Sequence, residues 1–374
     1  MKVLIAPDKF KGTLDAIKVC RAIQEALHES GMRYDIHTIP MADGGEGTCD
    51  MLTEFSKGRK VKLRVLDPFF REIEAAYGIS GDGTIAFVEM ATASGLQLLK
   101  PGERNALLGT TYGTGQLIAD ALDQGVKSVI MGVGGSGTND AGIGMAEALG
   151  ARFNDSTGKK LDPIGKNLRD IHSIDVSKLH RRLKEVSFIA ICDVSNPFYG
   201  PQGAAHVFGP QKGADAETVK FLDEGLRNFA LVVRNQFGLD INFPGAGAGG
   251  GLGGGAKVFF KVTFQPGIRF ITEFIGLENL VQQSDVIITG EGKMDEQTLS
   301  GKVVKGMADL ASKYNKPLFV VVGKNELSRE KISSLGIRKV ATLVNGRTTD
   351  AEAFLSAYSL IKKRMTEEII PFLL

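Results

Sequence analysis

The chain is poor in the residues that staple or bridge a structure. It has three cysteines in 374 residues: Cys20, Cys49 and Cys192. They are scattered, odd in number and form no C-x-x-C pair, which excludes a disulfide framework and a cysteine zinc knuckle and fits a reducing compartment. The five histidines show no ligand spacing, so a zinc enzyme has no basis in the text. No apolar run approaches the roughly 20 residues of a membrane helix. Candidates such as Leu318 to Val322 have the length of a strand. The opening text MKVLIAPDKF is too short in apolar residues for a signal segment. An excess of one charge is also lacking. The 45 Lys+Arg and 43 Asp+Glu leave +2, which requires neither nucleic acid nor an anionic membrane as partner. A cytoplasmic protein is the expectation. Absent too are the Walker A pattern, the protein-kinase motif set and the G-x-S-x-G elbow.

Glycine is what the chain has in abundance, with 47 residues. That is about one residue in eight, nearly twice ordinary usage. The glycines cluster instead of repeating, so collagen-like and low-complexity readings fail, and the clusters mark backbone held close to something. Hydrophobic residues at 43% and charged residues at 24% are those of an ordinary folded protein. The length predicts two domains.

Val3 to Ala6 reads as a buried strand ended by Pro7. Thr13 is placed to cap a helix with the apolar face Ala16, Val19, Cys20, Ile23 and Leu27, stopped by Gly31. Asp35 to Ile39 is a second strand. After Gly58 the pattern becomes an antiparallel meander: Val61 to Leu66, Ile73 to Ile79 and Ile85 to Met90. Helices are expected over Thr114 to Gln124, Ala141 to Leu149 and Glu217 to Phe237, with strands at Ser128 to Met131 and Phe188 to Cys192. Strand–helix alternation returns with Val286 to Thr289, Val303 to Tyr314, Leu318 to Val322, Ser328 to Leu335, Val340 to Val344 and Ala351 to Glu368. Such alternation implies a parallel sheet covered by helices on both faces. The expected architecture is α/β with two domains. Residues 1–60 and 281–374 form a discontinuous parallel domain, and residues 61–280 are a larger inserted mixed α/β domain. A site is expected in the cleft between them.

Six segments carry candidate chemistry. Ala6 to Thr13 joins a strand end to a helix start, where Lys11 beside Gly12 and Thr13 suits a carboxylate or phosphate, or is merely solvated. In Pro40 to Thr48, Asp43 and Glu46 flank glycines, which suits Mg²⁺ or a plain turn. Gly132 to Gly142 follows a strand and precedes a helix. Its backbone N–H groups can form an anion nest, with Ser136 and Thr138 as hydroxyl donors and Asp140 as a metal carboxylate. Asp193 leaves a buried strand where a carboxylate can deprotonate a substrate hydroxyl, with an Asx turn before Pro197 as the plain alternative. Lys212 could neutralise phosphate charge. Gly245 to Gly255 reads as a linker or as a phosphate cradle before a helix. Thr289 to Gln297, followed by Lys302, brings acids and lysines to another strand exit.

Gly132, Gly134 and Gly137 also satisfy G-x-G-x-x-G, with Asp155 about twenty residues on, as in a dinucleotide fingerprint. Against it, Arg152 to Lys160 reads as a turn and the region begins with a meander. An NAD-linked hydroxy-acid dehydrogenase and a non-enzymatic small-acid sensor stay open as alternatives.

Taken together, APDKFKGT at 6–13, PMADGGEGT at 40–48, GVGGSGTNDAGIGM at 132–145, CDVSNP at 192–197, FGPQKGA at 208–214 and TGEGKMDEQTLSGK at 289–302 resemble the bacterial type I glycerate kinase family. The likeness runs in order through nearly the whole chain. It departs at Lys9, where the family commonly has Ser, and at Gly137 and Ala141. The resemblance implies a flavodoxin-like domain with a large insertion. It also implies transfer of the ATP γ-phosphoryl group to glycerate with Mg²⁺, giving 2-phosphoglycerate, by a monomer or homodimer. On this reading Asp8, Lys11, Gly12 and Asp43 meet the substrate. Gly134, Gly135, Ser136, Thr138, Asn139, Lys212, Gly290, Glu291 and Lys302 meet the nucleotide. Asp43, Asp140 and Asp295 serve the metal, and Asp193 with Lys11 performs catalysis.

Overall fold

The computed structural model describes every residue except Asp43, Gly44, Gly301, Arg347 and Leu374. It divides into two units, residues 1–43 with 268–374, and residues 44–267. The first boundary lies before the helix Thr48–Phe55 and not at residue 60, because that helix packs on the strands Glu72–Ile79 and Ile85–Glu89. The second lies before residue 268 and not at 280, because the helix Leu277–Gln283 packs on the helix Val303–Lys313 and the strand Lys2–Ile5.

The discontinuous unit holds a five-stranded parallel sheet. Its spatial order is Ile337–Thr342, Leu318–Asn325, Val286–Met294, Lys2–Ile5 and Asp35–Thr38. The three central strands are near-continuous apolar runs because helices cover both faces. Ala16–Glu29 buries Val19, Cys20, Ile23 and Leu27 and packs against Ala357–Arg364. Its N-cap is Asp15, whose carboxylate accepts from the Lys18 N–H at 2.8 Å. Thr13, expected in that role, instead donates its hydroxyl to the Phe10 carbonyl at 2.8 Å and tightens the preceding loop. The closing segment, expected as one helix, is two, Asp350–Leu355 and Ala357–Arg364.

The Val286–Met294 strand runs five residues beyond the expected Thr289 end. The neighbouring strand Leu318–Asn325 carries the ladder on as far as Met294, so Gly290, Glu291 and Lys293 lie in the sheet and not in a loop.

The continuous unit holds a six-stranded mixed sheet in the order Val262–Gln265, Ser187–Ile191, Ser128–Gly132, Ile85–Glu89, Glu72–Ile79 and Arg59–Leu66. The last three form the expected antiparallel meander, and Ile85–Glu89 then pairs in parallel with Ser128–Gly132. The core gathers Phe153, Phe188, Phe198 and Phe229 around the helix Ala216–Phe237. The glycine run 245–255 is no linker. Leu252 to Gly255 open the helix Leu252–Phe259, buried against the segment around Ala141. A Cβ on Gly255 would meet the Ala141 carbonyl oxygen at 1.8 Å. Among the described residues no helix is long and apolar enough to cross a membrane.

Candidate active site

Register places the loops of the continuous unit. Glu89, Gly132, Ile191 and Gln265 stand in one row across four parallel strands. The segments that follow the first three therefore leave the sheet at its carboxyl edge, where open α/β sheets bind ligands. The Gly132–Gly142 loop and Asp193 share that edge. Gly134 and Gly135 are exposed, and they line a small cavity of about 60 Å³ with Glu46, Glu89 and Gln97. Glu89 was not singled out from the sequence. It is buried and accepts the Cys49 N–H at 2.9 Å. The available signal was its position as the last acid of a strand beside the glycine loop.

Behind the exposed glycines the loop turns inward. Ser136, Thr138, Asn139 and Asp140 are all buried. Asp140 cannot serve a metal. Its carboxylate is fully enclosed and accepts from the Thr111 N–H and hydroxyl, both at 2.7 Å, and from the Gly144 and Gly142 N–H groups. It closes the loop onto the next helix, and burial pushes its carboxyl up from the ordinary range. Lys212, expected to face phosphate, is 1% exposed, and its ammonium donates to Ser136 Oγ at 2.8 Å and the Thr138 carbonyl at 2.6 Å. Burial pushes Lys212 down to about 7. Thr138 Oγ1 and both polar atoms of the Asn139 amide are buried without a hydrogen-bond partner. Asp193 is exposed, and its Oδ1 accepts the Gly267 N–H at 2.8 Å.

In the discontinuous unit, Ile5 pairs with Ile288, so Asp8 and Glu291 each lie three residues beyond a register pair at the carboxyl edge. The Asp8 N–H donates to the Gly290 carbonyl at 2.8 Å. Asp8, Lys11, Glu291, Asp295, Lys302 and Lys324 line one cavity of about 520 Å³. Glu291 is buried, and burial pushes its carboxyl up to about 7, with Asp8 and Asp295 adding to the rise. Thr298 and Lys302 oppose it. Gly290 is required by packing: a Cβ there would meet the Val321 carbonyl oxygen at 2.1 Å. Gly12 has φ +82°, a conformation that favours glycine, and its Cα faces the Phe354 ring. Asp43 lies outside the described residues. Among those described, no group of three or more His, Cys, Asp or Glu is placed to hold a metal ion. The carboxylates of the cavity still fit Mg²⁺, which commonly takes one or two protein carboxylates and completes its shell with phosphate oxygens and water.

The dinucleotide reading fails on topology. Arg152–Asn154 is a three-residue strand that pairs antiparallel with Ser173–Asp175, not the next parallel strand of a dinucleotide unit.

Fold and site define a two-unit α/β protein whose glycine, lysine and carboxylate loops gather at the carboxyl edges of parallel strands. The chain matches the glycerate kinase family model over residues 3–373 and belongs to that family. It is 40% identical to the glycerate kinase of Halalkalibacterium halodurans, over 96% of this chain and 95% of that one. It is 39% identical to the glycerate 2-kinase of Escherichia coli K12, again over 96% and 95%. The crystal structure of a Salmonella typhimurium LT2 protein put forward as glycerate kinase 2 superposes with a TM-score of 0.89 at 38% identity, covering 100% of this chain and 98% of that one.

Proposed function

We propose that the protein phosphorylates glycerate, taking the γ-phosphoryl group of ATP with Mg²⁺ and delivering it to the 2-hydroxyl to give 2-phosphoglycerate. The observation that carries this reading is the family match over residues 3–373, with about two residues in five shared with relatives named glycerate kinase across nearly their full length.

Transfer of a phosphoryl group asks for positioning and charge neutralisation more than for covalent chemistry. Lys11 is exposed on the wall of its cavity and binds the glycerate carboxylate, with Asp8 and Gly12 beside it. Gly134, Gly135 and Ser136 receive phosphate oxygens on the loop at the edge of the other sheet. Lys302 adds positive charge, and Glu291 borders the same cavity. Asp295, with Asp43, would hold Mg²⁺, which would supply charge neutralisation for the phosphates. Asp193 accepts the proton of the attacking hydroxyl. The Gly267 N–H fixes one of its oxygens, which orients the carboxylate.

An ADP-coupled assay tests the reading. ADP should form only when ATP, Mg²⁺ and glycerate are all present. ADP formed at the same rate without glycerate, or none with all three, would reject it.

A further inference from the structure

Lys212 presents a puzzle for its surroundings. A buried ammonium is costly unless it is matched. Its side chain rises from the Pro210–Lys212 turn, which Gly213 closes at φ +89° against Arg104, where a Cβ would meet the carbonyl oxygen at 2.4 Å. The ammonium then reaches two atoms of a single loop, Ser136 Oγ at 2.8 Å and the Thr138 carbonyl at 2.6 Å. Asp140 is the nearby acid, and its oxygens are already engaged by Thr111, Gly142 and Gly144.

The consequence falls on Ser136. A hydroxyl has one hydrogen to give and two lone pairs. Lys212 occupies a lone pair, and no described residue accepts the Ser136 hydrogen. The hydrogen is therefore turned away from the ammonium. A cation behind a hydroxyl oxygen makes its O–H a stronger donor. The same loop carries the Thr138 hydroxyl and the Asn139 amide, buried and unsatisfied by protein, so its polar capacity exceeds what the fold consumes.

We propose that Lys212 is a positioning residue for phosphate binding. It does not touch the phosphate. It ties Ser136 and Thr138 to one internal N–H donor, so that the Ser136 hydroxyl donates to a phosphoryl oxygen of the nucleotide. This rests on the phosphate role given above to the Gly132–Gly142 loop. A Ser–Lys pair can also activate serine as a nucleophile. The second bond from Lys212 to the Thr138 carbonyl, and the sufficiency of direct in-line transfer, favour positioning.

The test is steady-state kinetics on the full chain with K212M, S136A and the double variant. Each single change should lower kcat/KM for ATP by about ten-fold or more, the loss of one charge-assisted hydrogen bond. KM for glycerate should stay within about two-fold of wild type, far less than that loss. The double variant should be within about two-fold of the worse single variant, because both changes remove the same contact. Losses that multiply, or wild-type ATP kinetics in S136A, would overturn the proposal. Should K212M fail to fold, S136T and S136A decide it by calorimetric titration with ADP: S136T should bind as wild type does and S136A should bind more weakly. Equal binding by both would overturn it. So would ADP–ATP exchange without glycerate that disappears in S136A, since Ser136 would then be the nucleophile. Absence of glycerate-dependent ADP formation by the wild type would reject the kinase reading alone, because the ADP titrations report on the loop without turnover.

Discussion

The Thr298 hydroxyl donates to Glu291 Oε1 at 2.6 Å, and both residues are buried. This bond anchors an acid that the fold otherwise disfavours. Burial carries the Glu291 carboxyl from 4.5 up to about 7, so the folded state holds its proton more tightly than the unfolded chain does. The stability this contributes is fully present below pH 4.5 and is lost as pH rises through about 7. The loss amounts to about 3 kcal/mol. Urea unfolding of wild type and E291Q at pH 5 and pH 8 checks this. The two should match at pH 5, and E291Q should be the more stable at pH 8. A constant difference at both values would contradict it.

Lys212 titrates with the opposite sign. Burial lowers its ammonium from 10.5 to about 7, so the unfolded chain holds the extra proton between those values. Stability attributable to Lys212 should rise with pH from about 7 to 10.5. K212M should flatten that rise in thermal unfolding scans. An unchanged slope would mean that the side chain is solvated.

Replacing Asp193 by Asn should lower turnover by at least about a hundred-fold, the usual worth of a positioned base. Folding should be intact, because Asp193 is exposed and an amide oxygen can still accept the Gly267 N–H. Single-turnover rates and circular dichroism measure the two together. Wild-type turnover would remove Asp193 from the reaction.

Lys11 is exposed at the cavity wall, and no described residue forms an ion pair with it. K11M should therefore leave the melting temperature unchanged and raise KM for glycerate by about ten-fold or more, as expected for a lost charged hydrogen bond. A rise in KM for ATP alone would assign Lys11 to the nucleotide.

The sequence revealed the motifs and the class of fold better than the orientation of individual side chains. The apolar runs Val3 to Ile5 and Leu318 to Val322 announced a covered parallel sheet, and the meander was plain in its turns. Lys212 and Asp140 read as ligands because Lys and Asp in a glycine loop usually face solvent. Their burial depends on segments distant in the chain, the Ser136–Thr138 loop for Lys212 and Thr111 for Asp140. Gly290 read as a ligand glycine, yet it is required by a neighbouring strand more than thirty positions away. The 245–255 run has the composition of a linker, and only its contact with Ala141 shows otherwise.

That contact can be measured. Ala141 itself stands at φ 56°, and a methyl on Gly255 would strike its carbonyl. G255A should cost at least about 2 kcal/mol in urea unfolding, as overpacking against backbone does. Unchanged stability would mean that the run is loosely packed.

The most direct measurement follows the phosphorus itself. Purified protein is mixed with ATP, Mg²⁺ and glycerate, and the products are resolved by phosphorus NMR. A new monoester resonance coupled to the proton on carbon 2, growing in step with ADP, is the predicted result. Coupling to the carbon 3 protons would correct the position of transfer. Inorganic phosphate alone, or an unchanged ATP spectrum, would contradict glycerate phosphorylation by this chain.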